Sequence, residues 1–178
     1  MKTKAVRLYG KNDLRLEEFE LPEITADEIL IRVVSDSVCA STYKAIKQGS
    51  AHKRVPNDVA ENPVIIGHEM CGEIISVGEN VKKDWKKGQK IVIQPALKLP
   101  SGHDPGYSYP YIGGNTQYAV VPKIVLERGC FYAGETAIGC LKTAVSFGTA
   151  ACMTAGTLPP RKEDIEKIYA QICVSEVM

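Results

Sequence analysis

Val64-Ile65-Ile66-Gly67-His68-Glu69-Met70-Cys71-Gly72-Glu73-Ile74-Ile75-Ser76-Val77-Gly78 is the stretch on which the fold turns. Its continuous apolar run, followed by alternation, reads as a buried strand leading into a half-buried one. Gly67 and Gly72 punctuate it. A glycine inside a strand pattern marks a bulge or a close approach of another backbone. His68 and Glu69 sit at the first break, where a polar pair can be aimed into a pocket. The plainer alternative is a hydrogen-bonded core histidine beside a surface glutamate.

Upstream of this stretch the pattern is β. Ala5–Tyr9 and Leu14–Leu21 are strand candidates joined by the turn-forming Gly10-Lys11-Asn12-Asp13. Glu28–Val38 is a longer third strand, rich in β-branched residues around Ile29–Val34. From Cys39 the spacing becomes that of a short helix, stopped by Gly49. A polar loop with His52-Lys53-Arg54 leads back to the central stretch. Downstream, Glu79–Lys87 is a charged connector that holds the only tryptophan, Trp85. Gly88–Gln94 turns into another strand. Pro95–Gly114 is dense in proline, glycine and tyrosine and reads as an irregular lobe. Thr116–Pro122 is the last clear strand. Short strands separated by Gly/Pro turns imply an all-β barrel or sandwich from Met1 to about Leu126.

Composition narrows the function classes. The chain has 178 residues, 44% hydrophobic and 24% charged, with a net charge of +1. It suits one domain, or one plus a fragment, and is large enough to bury a core. The near-zero charge gives no push towards nucleic acid or a membrane surface. No apolar run approaches the roughly 20 residues that span a bilayer. Met1-Lys2-Thr3-Lys4 runs into a strand pattern, unlike a signal peptide. The six cysteines form no CxxC pair. They imply free thiols, some of them candidate ligands, in a cytoplasmic protein.

Cys39 with Ser41 two residues on, Gly67-His68-Glu69 with Gly72 and Val77-Gly78, Trp85–Ile91, and Gly113-Gly114 before Tyr118-Ala119-Val120 occur together and in order. In this the chain resembles the catalytic domain of the zinc-dependent medium-chain alcohol/polyol dehydrogenases. The run Tyr107–Gly114 is similar to that of members acting on polyols and sugar phosphates. The resemblance implies a mainly β fold: a GroES-like, partly open β-barrel with short helices over 1–128. An atypical helical or irregular tail would follow over 129–178. It implies Cys39 and His68 as zinc ligands, with Glu69 as a further ligand or a carboxylate behind them. It also implies Ser41 as the hydroxyl that relays the substrate proton, and NAD or NADP as the hydride carrier. Zinc in such a site keeps an open position and acts as a Lewis acid. The alternative for Cys39 is a small buried hydrophobe.

The departures matter too. Lys44 stands where many relatives carry a relay histidine. No cysteine lies between Cys71 and Cys130, so the four-cysteine structural zinc lobe of many relatives has no counterpart. No G-x-G-x-x-G turn follows a strand, which implies a chain truncated before a Rossmann domain. Residues 129–156 show no clear period, and Cys152 falls roughly where the family supplies a third ligand. Over 161–172, Ile165, Ile168, Tyr169 and Ile172 keep the spacing of an amphipathic helix that would pack on the barrel or a partner. Two readings stand. One is the catalytic-domain portion of an oxidoreductase for a small polyol or sugar phosphate, unable to turn over substrate by itself and compatible with a homo-oligomer. The other is a non-catalytic GroES-like remnant or partner-binding module. His52-Lys53-Arg54 would either border the substrate cleft and hold a phosphate or form a solvated loop.

Overall fold

A computed structural model describes residues 1–82, 84–95, 97, 101–134, 146, 149 and 161–172. The expected β architecture is present as two antiparallel sheets. Strands β1 (Lys2–Gly10), β2 (Asp13–Glu20) and β4 (Val64–Ile65) form a three-stranded sheet in the order β2-β1-β4. Strands β3 (Ile29–Asp36), β5 (Met70–Val77), β6 (Lys90–Ile93), β7 (Tyr118–Val121) and β8 (Phe131–Gly134) form a five-stranded sheet in the order β7-β3-β5-β6-β8. Neither described sheet closes on itself. The two are tied where Ala5 bridges Thr116 and the Val6 N–H donates to the Asn115 carbonyl at 2.8 Å.

The central stretch is two strands in two sheets. β4 pairs with β1, with Arg7 opposite Ile65 and Leu8 opposite Val64. β5 pairs with β3 and β6. The chain changes sheet across Gly67-His68-Glu69, so the polar pair lies in the turn between strands. Gly67 makes that turn with φ +93°, and a Cβ there would run into the Asp36 carboxylate and the Asn115 side chain. Gly72 is the close approach: a Cβ would lie 2.6 Å from the Arg32 carbonyl oxygen. The ladder between β3 and β5 is irregular at two points: β3 carries Val34 as an extra residue between Val33 and Ser35, and β5 carries Ile75 as one opposite Leu30 and Ile31.

Two apolar clusters result. The larger lies on the five-stranded sheet and contains Ile29, Ile31, Met70, Ile74, Ile91, Ile93, Val121 and Phe131. Trp85, placed in a charged connector by sequence, is buried there and meets Phe131 edge-on at 4.6 Å and 68°. The smaller gathers Leu8, Ala45, Val55, Val59, Val64, Ile66 and Tyr107.

Helix α1 (Ala40–Gln48) follows β3 and ends at Gly49, as its pattern predicts. Two elements were not legible. A short helix, α2 (Lys123–Glu127), follows Pro122, and β8 carries the five-stranded sheet past residue 128 by pairing with β6. Helix α3 (Lys162–Gln171) matches the expected amphipathic segment, yet none of its residues is buried. Among the described residues no helix is long and apolar enough to cross a membrane.

Candidate metal centre

Three segments meet at the centre: the first turn of α1, the turn between β4 and β5, and the loop before β7. Cys39 is the N-cap residue of α1, with φ −96° and ψ 141°. Its thiol makes no cap bond; it lies 3.0 Å from the Ser41 hydroxyl. One helical residue further, Thr42 is buried and its Oγ1 is 3.1 Å from Nδ1 of His68.

His68 is buried. Burial pushes its pKa below the ordinary histidine value, with the Glu69 charge opposing and the Arg54 charge assisting. A neutral imidazole held at one nitrogen by a hydroxyl presents the other to a ligand. That other nitrogen, Nε2, lies 3.3 Å from Ser41 Oγ and 3.2 Å from the Tyr107 hydroxyl. Glu69 is exposed, with Oε1 4.0 Å from His68 Nε2. Its carboxylate accepts a short hydrogen bond from the Ser37 hydroxyl. Its backbone N–H donates to Asp36 Oδ1 at 2.9 Å. Asp36 lies against the Gly67 turn, and burial pushes its pKa up to about 6.

The structure thus brings Cys39, Ser41, His68 and Glu69 together. One ligand atom each from Cys39, His68 and Glu69 lies within 4.8 Å of the others, and Ser41 stands between the thiol and the imidazole. A thiol, an imidazole and a carboxylate at this separation suit a borderline-soft divalent ion such as zinc. Lys44 is exposed on α1. Cys152 lies outside the described residues.

The basic loop behaves differently from a phosphate cradle. Arg54 forms a 2.8 Å ion pair with Asp104, whose side chain is only 4% exposed. Asp104 also accepts the Leu97 N–H at 3.2 Å. The Arg54 charge is therefore matched internally. His52 stacks on Tyr107 at 5.7 Å, and Lys53 is exposed.

Tyr107 itself was missed as a site residue. It is fully buried, tilts against the His68 ring at 4.7 Å and donates to Ser41 Oγ at 2.9 Å. The sequence offered only a tyrosine in a Gly/Pro-rich lobe, and three tyrosines there look alike until the loop is folded.

Comparison with known proteins defines the class. The alcohol dehydrogenase GroES-like domain matches residues 25–152, and the chain belongs to that family. Among its relatives, the mannitol-1-phosphate 5-dehydrogenase of Aliivibrio fischeri is 52% identical over 128 residues, covering 72% of this chain and 30% of that protein. The L-sorbose 1-phosphate reductase of Klebsiella pneumoniae is 52% identical, covering 75% of this chain and 33% of that protein. The chain spans about a third of the length of these curated relatives. The crystal structure of 2R,3R-butanediol dehydrogenase from Bacillus subtilis superposes with a TM-score of 0.65 at 22% identity, over 86% of this chain and 47% of that one. The last likeness concerns the fold alone.

Proposed function

We propose that Cys39 Sγ, His68 Nε2 and a Glu69 carboxylate oxygen hold a zinc ion. On this reading the chain is the catalytic-domain portion of a zinc- and NAD(P)-dependent oxidoreductase acting on the hydroxyl or carbonyl of a polyol or sugar phosphate. The observation that carries it is the convergence of the three ligand atoms within 4.8 Å. Two of its relatives are named for sugar phosphates, which supports that substrate class. The reading places the protein in the cytoplasm, with a small-molecule substrate and no nucleic-acid or membrane partner. Self-association is compatible with it.

Zinc held by Cys39, His68 and Glu69 would supply a Lewis acid for the substrate oxygen. The chain's own residues do the rest. Thr42 holds Nδ1 of His68, which leaves Nε2 for the metal. Ser37 and Asp36 fix the carboxylate and the backbone of Glu69. Ser41 Oγ would take the substrate proton, and with a lysine at position 44 the relay would end at Ser41 or leave by another route.

The test is a zinc titration against a chromophoric chelator, followed by calorimetric addition of NAD(H) and NADP(H). One equivalent of tightly held zinc is expected, lost in Cys39→Ser and His68→Ala. Equal uptake by the wild type and both variants would end the metal reading. Zinc uptake with no nucleotide bound would favour the alternative, a GroES-like module without turnover. Nucleotide binding followed by zinc-dependent oxidation of mannitol 1-phosphate would support the full reading.

A further inference from the structure

We propose that Tyr107 is a positioning residue of this centre, directing the Ser41 hydroxyl and seating the His68 ring, and that the Arg54–Asp104 ion pair anchors it. The proposal rests on the metal reading above and extends it to the loop over 101–114.

The geometry is closed around the phenol. Its hydroxyl donates to Ser41 Oγ at 2.9 Å and lies 3.2 Å from His68 Nε2. Because the Tyr107 proton goes to Ser41, the Ser41 proton is directed elsewhere, towards the thiol, the His68 Nε2 or a substrate oxygen. A hydroxyl is a free rotor unless a neighbour fixes it, and Tyr107 is that neighbour. The ring is held on three sides: His52 is stacked at 5.7 Å, His68 is tilted at 4.7 Å, and the Arg54 guanidinium lies 5.1 Å from the centroid.

Arg54 is held in turn. It pairs with buried Asp104 at 2.8 Å, while its backbone carbonyl accepts a short hydrogen bond from the Ser108 hydroxyl. Ser108 Oγ also accepts the Asp104 N–H at 3.0 Å, and the Tyr107 N–H donates to the Asp104 carbonyl at 3.2 Å. The loop is therefore tied to Arg54 at both its side chain and its backbone, on either side of Tyr107. Groups that orient metal ligands typically change metal affinity 10–100-fold when removed.

The first measurement needs no metal. Long-range 1H–15N correlation spectra of the three histidines are compared for the wild type and Tyr107→Phe, which keeps the ring. The His68 Nε2 resonance should move, with Nδ1, the other histidines and the melting temperature little changed. A structural role alone would shift Nδ1 as well or lower the melting temperature. An Nε2 resonance that stays in place would overturn the proposal.

The second measurement is zinc affinity by chelator competition. Arg54→Ala should weaken zinc about tenfold and move Nε2 as Tyr107→Phe does, while Lys53→Ala leaves both unchanged. Equal effects of Arg54→Ala and Lys53→Ala would remove the anchor. A wild type that shows the expected Nε2 behaviour but takes up no zinc would sink the metal reading. Tyr107 would then still direct Ser41 and seat the His68 ring, with the zinc alone lost.

Discussion

The two apolar clusters are built on opposite terms. The larger, on the five-stranded sheet, is apolar throughout, with Ile29, Ile31, Ile74 and Ile91 fully buried. The smaller ends in Tyr107 and runs directly into a buried polar network of His68, Thr42, Ser41, Arg54 and Asp104. The first is stabilised by area removed from water, which is non-directional. The second depends on each polar atom keeping its partner, because an unpaired buried polar group costs about 1–3 kcal/mol. The difference teaches that stability and site geometry are largely separate properties of this chain, resting on different clusters.

The sharpest separation should come from Ile74→Ala on β5. Truncating a fully buried isoleucine costs about 2–5 kcal/mol. Urea unfolding should show that loss, while zinc affinity of the folded protein stays within about twofold, since 1.4 kcal/mol would already be tenfold. A large change in affinity would mean that the clusters are coupled.

Gly67→Ala tests the joint between the two sheets. The residue would be held at φ +93° against the Asp36 carboxylate. Backbone strain of this kind costs on the order of 1–3 kcal/mol, and here zinc affinity should fall as well, because His68 and Glu69 ride on the turn. Lost stability with unchanged affinity would show that the turn relaxes away from the site.

Thr42→Val keeps the shape of a buried residue and removes the hydroxyl from His68 Nδ1. Zinc should bind roughly 10–100-fold more weakly, with stability lowered by only about 1 kcal/mol. Chelator competition and thermal melting on one preparation measure both. Unaltered affinity would show that Thr42 is packing alone.

The smallest effect belongs to Leu16→Thr on β2, where the side chain is 75% exposed. Stability should change by no more than about 0.5 kcal/mol. A larger loss by urea unfolding would reveal a partner for this sheet edge, and a gel-filtration comparison would identify a second copy of the chain as that partner.

Sequence periodicity determined much of this protein. β1, β2, β3, β6 and β7 follow from short apolar runs in strand pattern between Gly/Pro turns, and α1 from a change of spacing after Cys39 closed by Gly49. Cys39, Ser41, His68 and Glu69 were legible because each is chemically distinctive and falls at a strand end or a glycine break. Tertiary structure alone decided the rest. Periodicity describes a strand's faces and is silent about which sheet it joins, so it showed a buried strand leading into a half-buried one without showing that the two join different sheets. The charge pattern of the Trp85 connector concealed a buried ring, and the helix and strand after Pro122 were too short to show a period. The Arg54–Asp104 pair and Tyr107 were decided by loop closure across roughly fifty residues of chain, where a cation and a carboxylate find each other only because both sheets have already set the loop ends.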